Sequence, residues 1–428
     1  MPGFSLPGCE LGVATAATQI EGGAIDTTWH RWAAADRIAD HSTPARAADH
    51  ANRVEQDIAL LGELGVRHYR MGLEWARIEP LRGQFDPVGL AHYRDELTQL
   101  RDAGIRPLVT LHHFSEPGWF ADAGGWLAPD AVPTFLRYVE AVVGGLGDLV
   151  TDWITINEPT VYTSHAYLWG LWPPGETSAY RHALAATQAL VDAHLAAYPL
   201  IHRLRPDARV GVAHHLRAFR PRNPRNPAHR GAATLSRYLF QDALVEMMAT
   251  ARGRLPLRRP KGAVPGRYYD FHAINYYTRS TVAGLADGTA AQAPVNDLGW
   301  EIYPHGLVEV AQWVHDRWPG PIWISENGVA DRADAFRSRF LYDHLAQIAA
   351  SDLPIERYYH WCFTDNFEWA EGEGARFGLV ELDYATQVRT VRGSGRFYAD
   401  IIANHGVTEV AYQRWVAGQE YPTNGEGG

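Results

Sequence analysis

Two glutamates in the sequence directly follow short apolar runs, where an unpaired charge is costly to bury. Glu158 comes after residues 153–157 (WITIN), and Glu326 ends the stretch 321–326 (PIWISE). Paired carboxylates are what glycosidic bond hydrolysis requires, since one protonates the departing oxygen while the other attacks or activates water. The structural alternative is a salt bridge with an arginine such as Arg70. Two glutamates placed alike on two predicted strands favour the catalytic interpretation.

Polar side chains also follow the other apolar runs. Because each run is a separate predicted strand, the carboxyl ends of one closed parallel sheet would bring these side chains to one pocket. There Arg70 is expected to keep Glu326 ionised, and a more apolar environment is expected to hold Glu158 protonated. The polar side chains are Gln19, Glu21, Arg70, Glu74, His112, His113, Asn157, Asn275, Tyr276, Tyr277 and Asn327, with Trp361 and the run Asp365, Asn366, Phe367, Glu368 and Trp369 on the last strand.

Short apolar strands alternate with amphipathic helices along the chain, with no linker between them. Eight such units predict a single-domain (β/α)8 TIM barrel over residues 1–428, with long loops after the strands. A doubly wound open sheet is the alternative, although it usually has fewer strands. Strands are predicted at 11–15, 66–73, 106–111, 153–157, 209–213, 269–275, 321–326 and 356–363, helices at 51–64, 89–103, 131–146, 179–204, 234–251, 307–318 and 336–350, and a loop at 219–227.

Composition limits the kinds of partner. The 428 residues carry a formal net charge of −10, which argues against nucleic acid or an anionic membrane as partner. Cys9 and Cys362 are too few for a disulfide framework and indicate a reducing compartment. The first ten residues lack the basic and apolar regions of a signal peptide, and no stretch is long enough to span a membrane. The predicted location is the cytoplasm, and the sequence leaves the oligomeric state open.

The motifs around the two glutamates resemble glycoside hydrolase family 1, the β-glucosidase family. Residues 155–159 (TINEP) match its acid/base signature, and residues 324–328 (ISENG) match its nucleophile signature. Both stand in the family's order, on the fourth and seventh predicted strands, and other motifs match from Gly12 to about Asp400. The resemblance implies a (β/α)8 barrel and a retaining β-glycosidase, with Glu158 as general acid/base and Glu326 as nucleophile.

The resemblance also implies roles for residues around the pair, and neither a cofactor nor a metal. Asn275 and Tyr277 are expected to orient Glu326, and Arg70 to support catalysis with them. Members that act on 6-phosphorylated sugars carry serine and lysine where this chain has residues 368–369 and 374–377, so an unphosphorylated glycone is expected. The residues implied to bind the sugar are Gln19, His113, Asn157 at the 2-hydroxyl, Trp361 beneath the ring, Glu368, Trp369 and Phe377.

The sequence departs from the family pattern beside the sugar site and in the loops that follow the fifth strand. Thr18 stands where an aromatic residue is usual, and Phe114 replaces a common tryptophan. Residues 115–117 vary the usual turn, and residues 216–268 are short and rich in arginine and proline for loops that shape the aglycone end. These changes leave the carboxylate chemistry in place. They leave open the glycone, among gluco, galacto, fuco and related β-sugars, and the aglycone.

Three other functions stay open at this point. A transglycosylase would use the same glutamates and an alcohol in place of water. A metal-dependent barrel hydrolase is suggested by the pairs His112-His113 and His214-His215, but neighbouring strand residues point to opposite faces and cannot chelate one metal. A silent sugar-binding protein would be expected to lack at least one of the two glutamates, and both are present.

Overall fold

A computed structural model, which describes residues 2–284 and 286–425, contains a closed barrel of eight parallel strands. Neighbouring strands follow chain order around the ring, and β8 closes it against β1. The predicted barrel is therefore confirmed, and the open doubly wound sheet is excluded. The strands are β1 (Glu10–Ala14), β2 (His68–Gly72), β3 (Arg106–His112), β4 (Asp152–Asn157), β5 (Arg209–His215), β6 (His272–Asn275), β7 (Ile322–Asn327) and β8 (Ile355–Trp361).

Helices that follow the strands cover the outside of the barrel. The apolar residues of α3 recur every three or four positions, which gives one buried stripe through Phe135, Val139, Val142 and Leu146. The helices are α1 (Val54–Glu63), α2 (Pro87–Asp102), α3 (Ala131–Leu146), α4 (Tyr180–Leu204), α5 (Ala243–Thr250), α6 (His305–His315), α7 (Arg337–Ala349) and α8 (Gly393–Asn404).

Shorter elements build the loops at the two ends of the barrel. Within the described part of the chain, no helix is both long and apolar enough to cross a lipid bilayer. The short helices are Ala17–Ile20, Thr28–Ala34, His50–Asn52, Trp75–Ile78, Gly118–Asp122, Gly125–Leu127, Pro159–Thr163, Ser164–Leu168, Pro227–Arg237, Tyr238–Asp242, Trp369–Glu371 and Glu409–Trp415, and the short strands are Phe4–Ser5, Ala218–Pro221, Arg279–Ala283, Ala286–Gly288, Val380–Leu382, Arg389–Val391 and Gly406–Val407.

The region after β5 differs from the sequence prediction. The predicted helix at 234–251 begins earlier, at Pro227, because the Asn226 side chain caps the amide of Ala228 and proline suits the first turn. It then passes through a π-helical turn, Tyr238–Asp242, before α5. Part of the predicted loop at 219–227 is a strand, Ala218–Pro221, which pairs with Arg279–Ala283.

An ion cluster closes the amino-terminal end of the barrel. Asp152, the first residue of β4, is completely buried and accepts hydrogen bonds from three arginines on other strands. The donors are Arg106 at 2.8 Å, Arg209 at 2.9 Å and Arg357 at 2.6 Å. The Arg357 guanidinium also lies 3.9 Å from the ring centroid of Trp323. A single carboxylate is thus surrounded by excess positive charge.

Candidate active site

A cavity of about 240 Å³ opens at the carboxyl ends of the strands, where the barrel prediction placed the site. Both predicted catalytic glutamates reach it. Arg70, Asn157, Asn275 and Gln19 are buried behind its wall, and hydrogen bonds from these residues hold the lining side chains. The predicted residues that line the cavity are His113, Glu158, Tyr277, Glu326, Trp361, Glu368, Trp369 and Phe377.

Glu158 follows the last residue of β4 and enters the cavity through an unusual backbone conformation. Its φ of 44° and ψ of 60° lie in the left-handed region, which non-glycine residues rarely adopt. The peptide N–H donates to the carbonyl of Ala213 on β5 at 2.8 Å, and Pro159 begins the next helix. These contacts stabilise the conformation that directs the carboxyl into the cavity.

Glu326 lies near the end of β7 and is held by two donors. Arg70, which is completely buried on β2, donates Nη1–H to Oε1 of Glu326, and the Tyr277 hydroxyl donates to Oε2 at 2.6 Å. Gly328 permits β7 to approach β8, because a Cβ at this position would lie 1.8 Å from the carbonyl oxygen of Trp361. Both oxygens of the carboxyl are therefore fixed.

A chain of hydrogen bonds connects the two glutamates. Beside its contact with Glu326, Arg70 donates from Nη2 to Oδ1 of Asn157 at 2.7 Å. Asn275 donates from Nδ2 both to that same Oδ1 at 3.0 Å and to Oε1 of Glu158 at 2.8 Å. A shift of either carboxyl would disturb the other through this chain.

Asn275 contacts Glu158, although the sequence predicted a contact with Glu326. We expected it to orient Glu326, whereas in this structure its amide nitrogen donates to Asn157 and Glu158. The Ser325 hydroxyl donates to Oδ1 of Asn275 at 2.6 Å, which turns the amide nitrogen toward Asn157 and Glu158. Tyr277 contacts Glu326, as expected.

The protonation of the pair also differs from expectation. Burial is the largest influence on Glu326; it outweighs Arg70 and, with the charge of Glu158, raises the pKa of Glu326 to about 7. Burial acts on Glu158 as well, but His215, Asn275 and Arg70 together hold the pKa of Glu158 below its ordinary value. The difference arises because burial outweighs Arg70 at Glu326 and because His215 donates to Glu158. Because the two carboxyls interact, they titrate as a pair.

The inner half of the cavity presents polar groups that still lack partners. Gln19 donates to Glu368 at 3.1 Å, while its own buried Oε1 has no partner among the described residues. Asn157 donates to Nε2 of His113 at 3.0 Å, which places the ring proton on the buried and unpaired Nδ1. Burial and the charge of Glu326 raise the pKa of Glu368 to about 8. A bound sugar can satisfy these groups with its hydroxyls.

The outer half of the cavity is apolar. Trp169, Leu171 and Trp300 line it and remain 49%, 53% and 38% exposed, although side chains of this type are normally buried. Trp172 and Leu298 extend the same surface. Large apolar side chains kept exposed around an opening are typical of a binding surface.

A family model described as glycosyl hydrolase family 1 matches residues 8–263 and 266–407. The chain belongs to this family. Beta-glucosidase A of Thermotoga maritima is 31% identical over 93% of this chain and 97% of its own length. The galactolipid galactosyltransferase SFR2 of Arabidopsis thaliana is 32% identical over 83% of this chain, which corresponds to 58% of its own length.

Solved structures of two similar proteins superpose closely on this one. The beta-glucosidase from Thermotoga maritima in complex with glucoimidazole has a TM-score of 0.87, with 30% identity over 95% of this chain and all of the other. The AHE enzyme from Alicyclobacillus herbarius also has a TM-score of 0.87, with 31% identity over 94% of this chain. This chain is accordingly a glycoside hydrolase of the β-glucosidase type.

The lining residues of this family 1 enzyme that the sequence did not indicate include the polar side chains His215 and Arg217. The predicted fifth strand stopped at residue 213, whereas β5 continues to His215. Because side chains alternate along a strand, a residue two positions after Ala213 faces the same side of the sheet. Extending the strand by that step identifies His215 as a candidate.

Some polar side chains predicted at strand ends lie outside the cavity. Glu21 accepts from Arg77 at 2.9 Å, and Glu74 accepts from Thr18 at 2.5 Å. His112 lies 2.9 Å from Glu116, whereas its neighbour His113 lines the cavity, in line with the alternation expected on a strand. Within residues 2–284 and 286–425, no group of three His, Cys, Asp or Glu side chains is arranged to hold a metal ion.

Proposed function

We propose that this family 1 enzyme is a retaining β-glycosidase in which Glu158 is the general acid/base and Glu326 the nucleophile. One observation carries the proposal: both carboxyls line one cavity and are connected through Arg70, Asn157 and Asn275. The solved relative that binds glucoimidazole supports a small sugar-like ligand. Retention requires the two carboxyl groups to lie about 5 to 5.5 Å apart.

In the first step, a carboxylate oxygen of Glu326 bonds to the anomeric carbon while the bond to the aglycone oxygen breaks. Glu158 gives its proton to that oxygen, and a glycosyl ester of Glu326 forms. This step requires a protonated Glu158 beside an ionised Glu326. When the pair holds a single proton, the proton can lie on either carboxyl, and this step uses the form in which it lies on Glu158.

In the second step, Glu158 takes a proton from water, whose oxygen attacks the anomeric carbon from the side that the aglycone left. The bond to Glu326 breaks, and the sugar departs with its β configuration retained. Formation of the ester removes the negative charge of Glu326, which had disfavoured ionisation of Glu158. The same glutamate therefore serves as acid in one step and as base in the next.

We further propose that the glycone is a terminal, unphosphorylated β-D-glycosyl residue. Its hydroxyls would contact Gln19, His113, Asn157 and Glu368, of which Gln19 and His113 each have a buried polar atom without a partner among the described residues. A phosphate at this end would meet the carboxyls of Glu326 and Glu368, and no arginine or lysine predicted to bind it stands at residues 368–369 or 374–375. The aromatic rings of Trp361, Trp369 and Phe377 would enclose the sugar.

The test is release of nitrophenol from a panel of aryl β- and α-glycosides, with Glu326→Ala as the control. Cleavage of β-glycosides alone, abolished in the variant, is the expected result. The configuration of the first product, followed by NMR, separates retention from inversion. Inversion, or full activity in the well-folded Glu326→Ala variant, would contradict the proposal.

Transglycosylation is a second candidate, because a 32% identical relative is named a galactosyltransferase. An alcohol would replace water in the second step and leave the same pair of glutamates in the same roles. The check is the product ratio with glycerol as acceptor. Glycosyl-glycerol as the main product at low acceptor concentration would favour transfer, and free sugar would favour hydrolysis.

We also propose that residues 1–428 form one catalytic domain that acts in the cytoplasm. The family match reaches nearly from end to end, and the two cysteines are free. Limited proteolysis should leave one resistant core, and cell fractionation should place the activity with the cytosolic fraction. Two separable fragments, or activity outside the cell, would overturn these assignments.

A further inference from the structure

His215 lies between the carboxyl of Glu158 and the guanidinium of Arg217. Arg217 donates from Nε to Nε2 of His215 at 2.9 Å, and Nδ1 of His215 lies 3.2 Å from Oε1 of Glu158. A guanidinium nitrogen can only donate, so Nε2 must accept and the ring proton must lie on Nδ1. His215 therefore donates to Glu158.

The surrounding side chains hold this arrangement in place. The His215 ring stacks on Tyr277 with centroids 5.9 Å apart, and its edge meets Phe240 at 6.0 Å. The Arg217 guanidinium lies 5.2 Å from the Phe240 centroid, and the Arg217 backbone N–H donates to Gln241 at 3.1 Å. Burial lowers the pKa of His215, which keeps the ring neutral.

The two oxygens of Glu158 are consequently unequal. Oε1 accepts from both Asn275 and His215, at 2.8 and 3.2 Å, while the structure provides Oε2 with no donor from the described residues. A proton on Oε1 would have to displace one of these donors. Oε2 is free to carry the proton that catalysis moves.

We propose that His215, held by Arg217 with its proton on Nδ1, is a positioning residue that occupies Oε1 of Glu158 and leaves Oε2 to exchange the proton with the leaving group and with water. The inference rests on the proposed role of Glu158 as acid/base. It adds a residue that the family motifs did not indicate and assigns the reacting oxygen of Glu158.

The proposal predicts a shift in the pH dependence of kcat/KM. A donor to the carboxylate stabilises its ionised form, so loss of this donor makes Glu158 easier to protonate. In His215→Phe, which keeps a ring against Tyr277, the limb of the profile that reports protonation of Glu158 should move to higher pH. The other charged or titratable groups that face Glu158 and His215 are unchanged in this variant: Arg70, His165, Arg217, Tyr277, Glu326 and Glu368.

His215→Asn and His214→Phe complete the pH experiment. An asparagine amide can reach the place of Nδ1 and donate, so His215→Asn should restore the wild-type limb. His214 is the same residue type on the same strand, is buried, and does not line the cavity. His214→Phe should leave the limbs in place. Unmoved limbs in His215→Phe would overturn the proposal.

A leaving-group comparison separates positioning from general damage. Dinitrophenolate departs without a proton, whereas an alkyl oxygen needs one from Glu158. His215→Phe should lower kcat/KM about tenfold for an alkyl β-glycoside and leave the 2,4-dinitrophenyl β-glycoside nearly unchanged, since general acid catalysis contributes about 10² to 10⁴-fold. Equal losses on both substrates would mean a structural role only.

Arg217→Met tests the tautomer itself. Without the donor at Nε2, the ring can carry its proton there and present a lone pair to Glu158, so the limb that reports protonation of Glu158 should move in the same direction as in His215→Phe. A profile identical to wild type would contradict the role of Arg217. Wild-type protein that cleaves no β-glycoside would instead refute the proposed function, so the two failures are distinct.

Discussion

The two ends of the barrel use the same charged groups in opposite proportions. At the amino-terminal end, one carboxylate, Asp152, meets three arginines. At the carboxyl end, the carboxyls of Glu158, Glu326 and Glu368 line the cavity, and among the described residues Arg70 forms an ion pair with Glu326. The side chains of Glu158 and Glu326 are 7% and 4% exposed, and Glu368 is half-buried.

The difference separates stabilisation from reactivity. Burial opposes ionisation of Asp152, but Arg357 and Arg209 hold the pKa of Asp152 below its ordinary value. At the carboxyl end, the positive charge near the carboxyls does not offset burial, so burial raises the pKa of Glu326 to about 7 and that of Glu368 to about 8. Ionised Glu326 and Glu368 therefore destabilise the fold, and both can exchange protons near neutral pH.

The largest expected effect is on activity at the carboxyl end. Glu326→Ala should lower kcat by about 10⁵-fold or more, since removal of a nucleophile leaves only binding and electrostatic contributions. The free energy of unfolding should change little, because the loss of the partner of Arg70 is offset by removal of a buried carboxyl that Glu158 repels, and Arg70 keeps its hydrogen bond to Asn157. Kinetics and urea denaturation of one preparation measure both. A clear loss of stability would contradict the comparison.

Glu158→Ala should show a smaller effect that depends on the leaving group. Loss of the general acid should lower kcat/KM by about 10² to 10⁴-fold for alkyl β-glycosides and far less for the 2,4-dinitrophenyl glycoside. Azide, which needs no base, should enter the vacated space and give the β-glycosyl azide. Uniform losses on all substrates, with no azide product, would argue against Glu158 as acid/base.

At the amino-terminal end the expectation is reversed. Asp152→Asn should lower the free energy of unfolding by about 3 to 5 kcal/mol, because three arginines lose the charge that compensates them. The kcat of the folded protein should stay within about twofold of wild type, since Asp152 lies at the opposite end from the cavity. Denaturation curves and steady-state kinetics test this pair of outcomes. A selective loss of kcat would show that the two ends are coupled.

The barrel was predictable from the sequence because its signals are local and repeated. Each strand is a short apolar run, and each covering helix shows an apolar stripe, as in α3. The region after β5 was less predictable. There the cap at Asn226 and the pairing of Ala218–Pro221 with Arg279–Ala283 depend on contacts that the local pattern does not encode.

Some features of the site were also predictable from the sequence, and others were not. The glutamates stand in motifs, so the sequence indicated that Glu158 and Glu326 would share a pocket. The direction of the Asn275 amide depends on Ser325, a neighbour across β6 and β7, and the donor to Glu158 comes from His215 on a third strand. Protonation of the pair depends on burial and on all these contacts together. None of them is visible before the strands are closed into a barrel.

The smallest expected effect concerns pH and Glu368. The pKa of Glu368 in the folded protein is about 8, above its ordinary value of 4.5, so folding favours the protonated form. The resulting contribution is complete below about pH 4.5 and is lost as the pH rises through 8. Glu368→Gln cannot ionise, so its melting temperature should gain on wild type as the pH rises from 5 to 8. Asp152 stabilises the fold once it is ionised. The melting temperature of Asp152→Asn should therefore lie below that of wild type across this pH range, and the difference should shrink only when the pH falls below about 4. Parallel melting curves for Glu368→Gln and wild type across this range would mean that the carboxyl end is compensated as fully as the amino-terminal end.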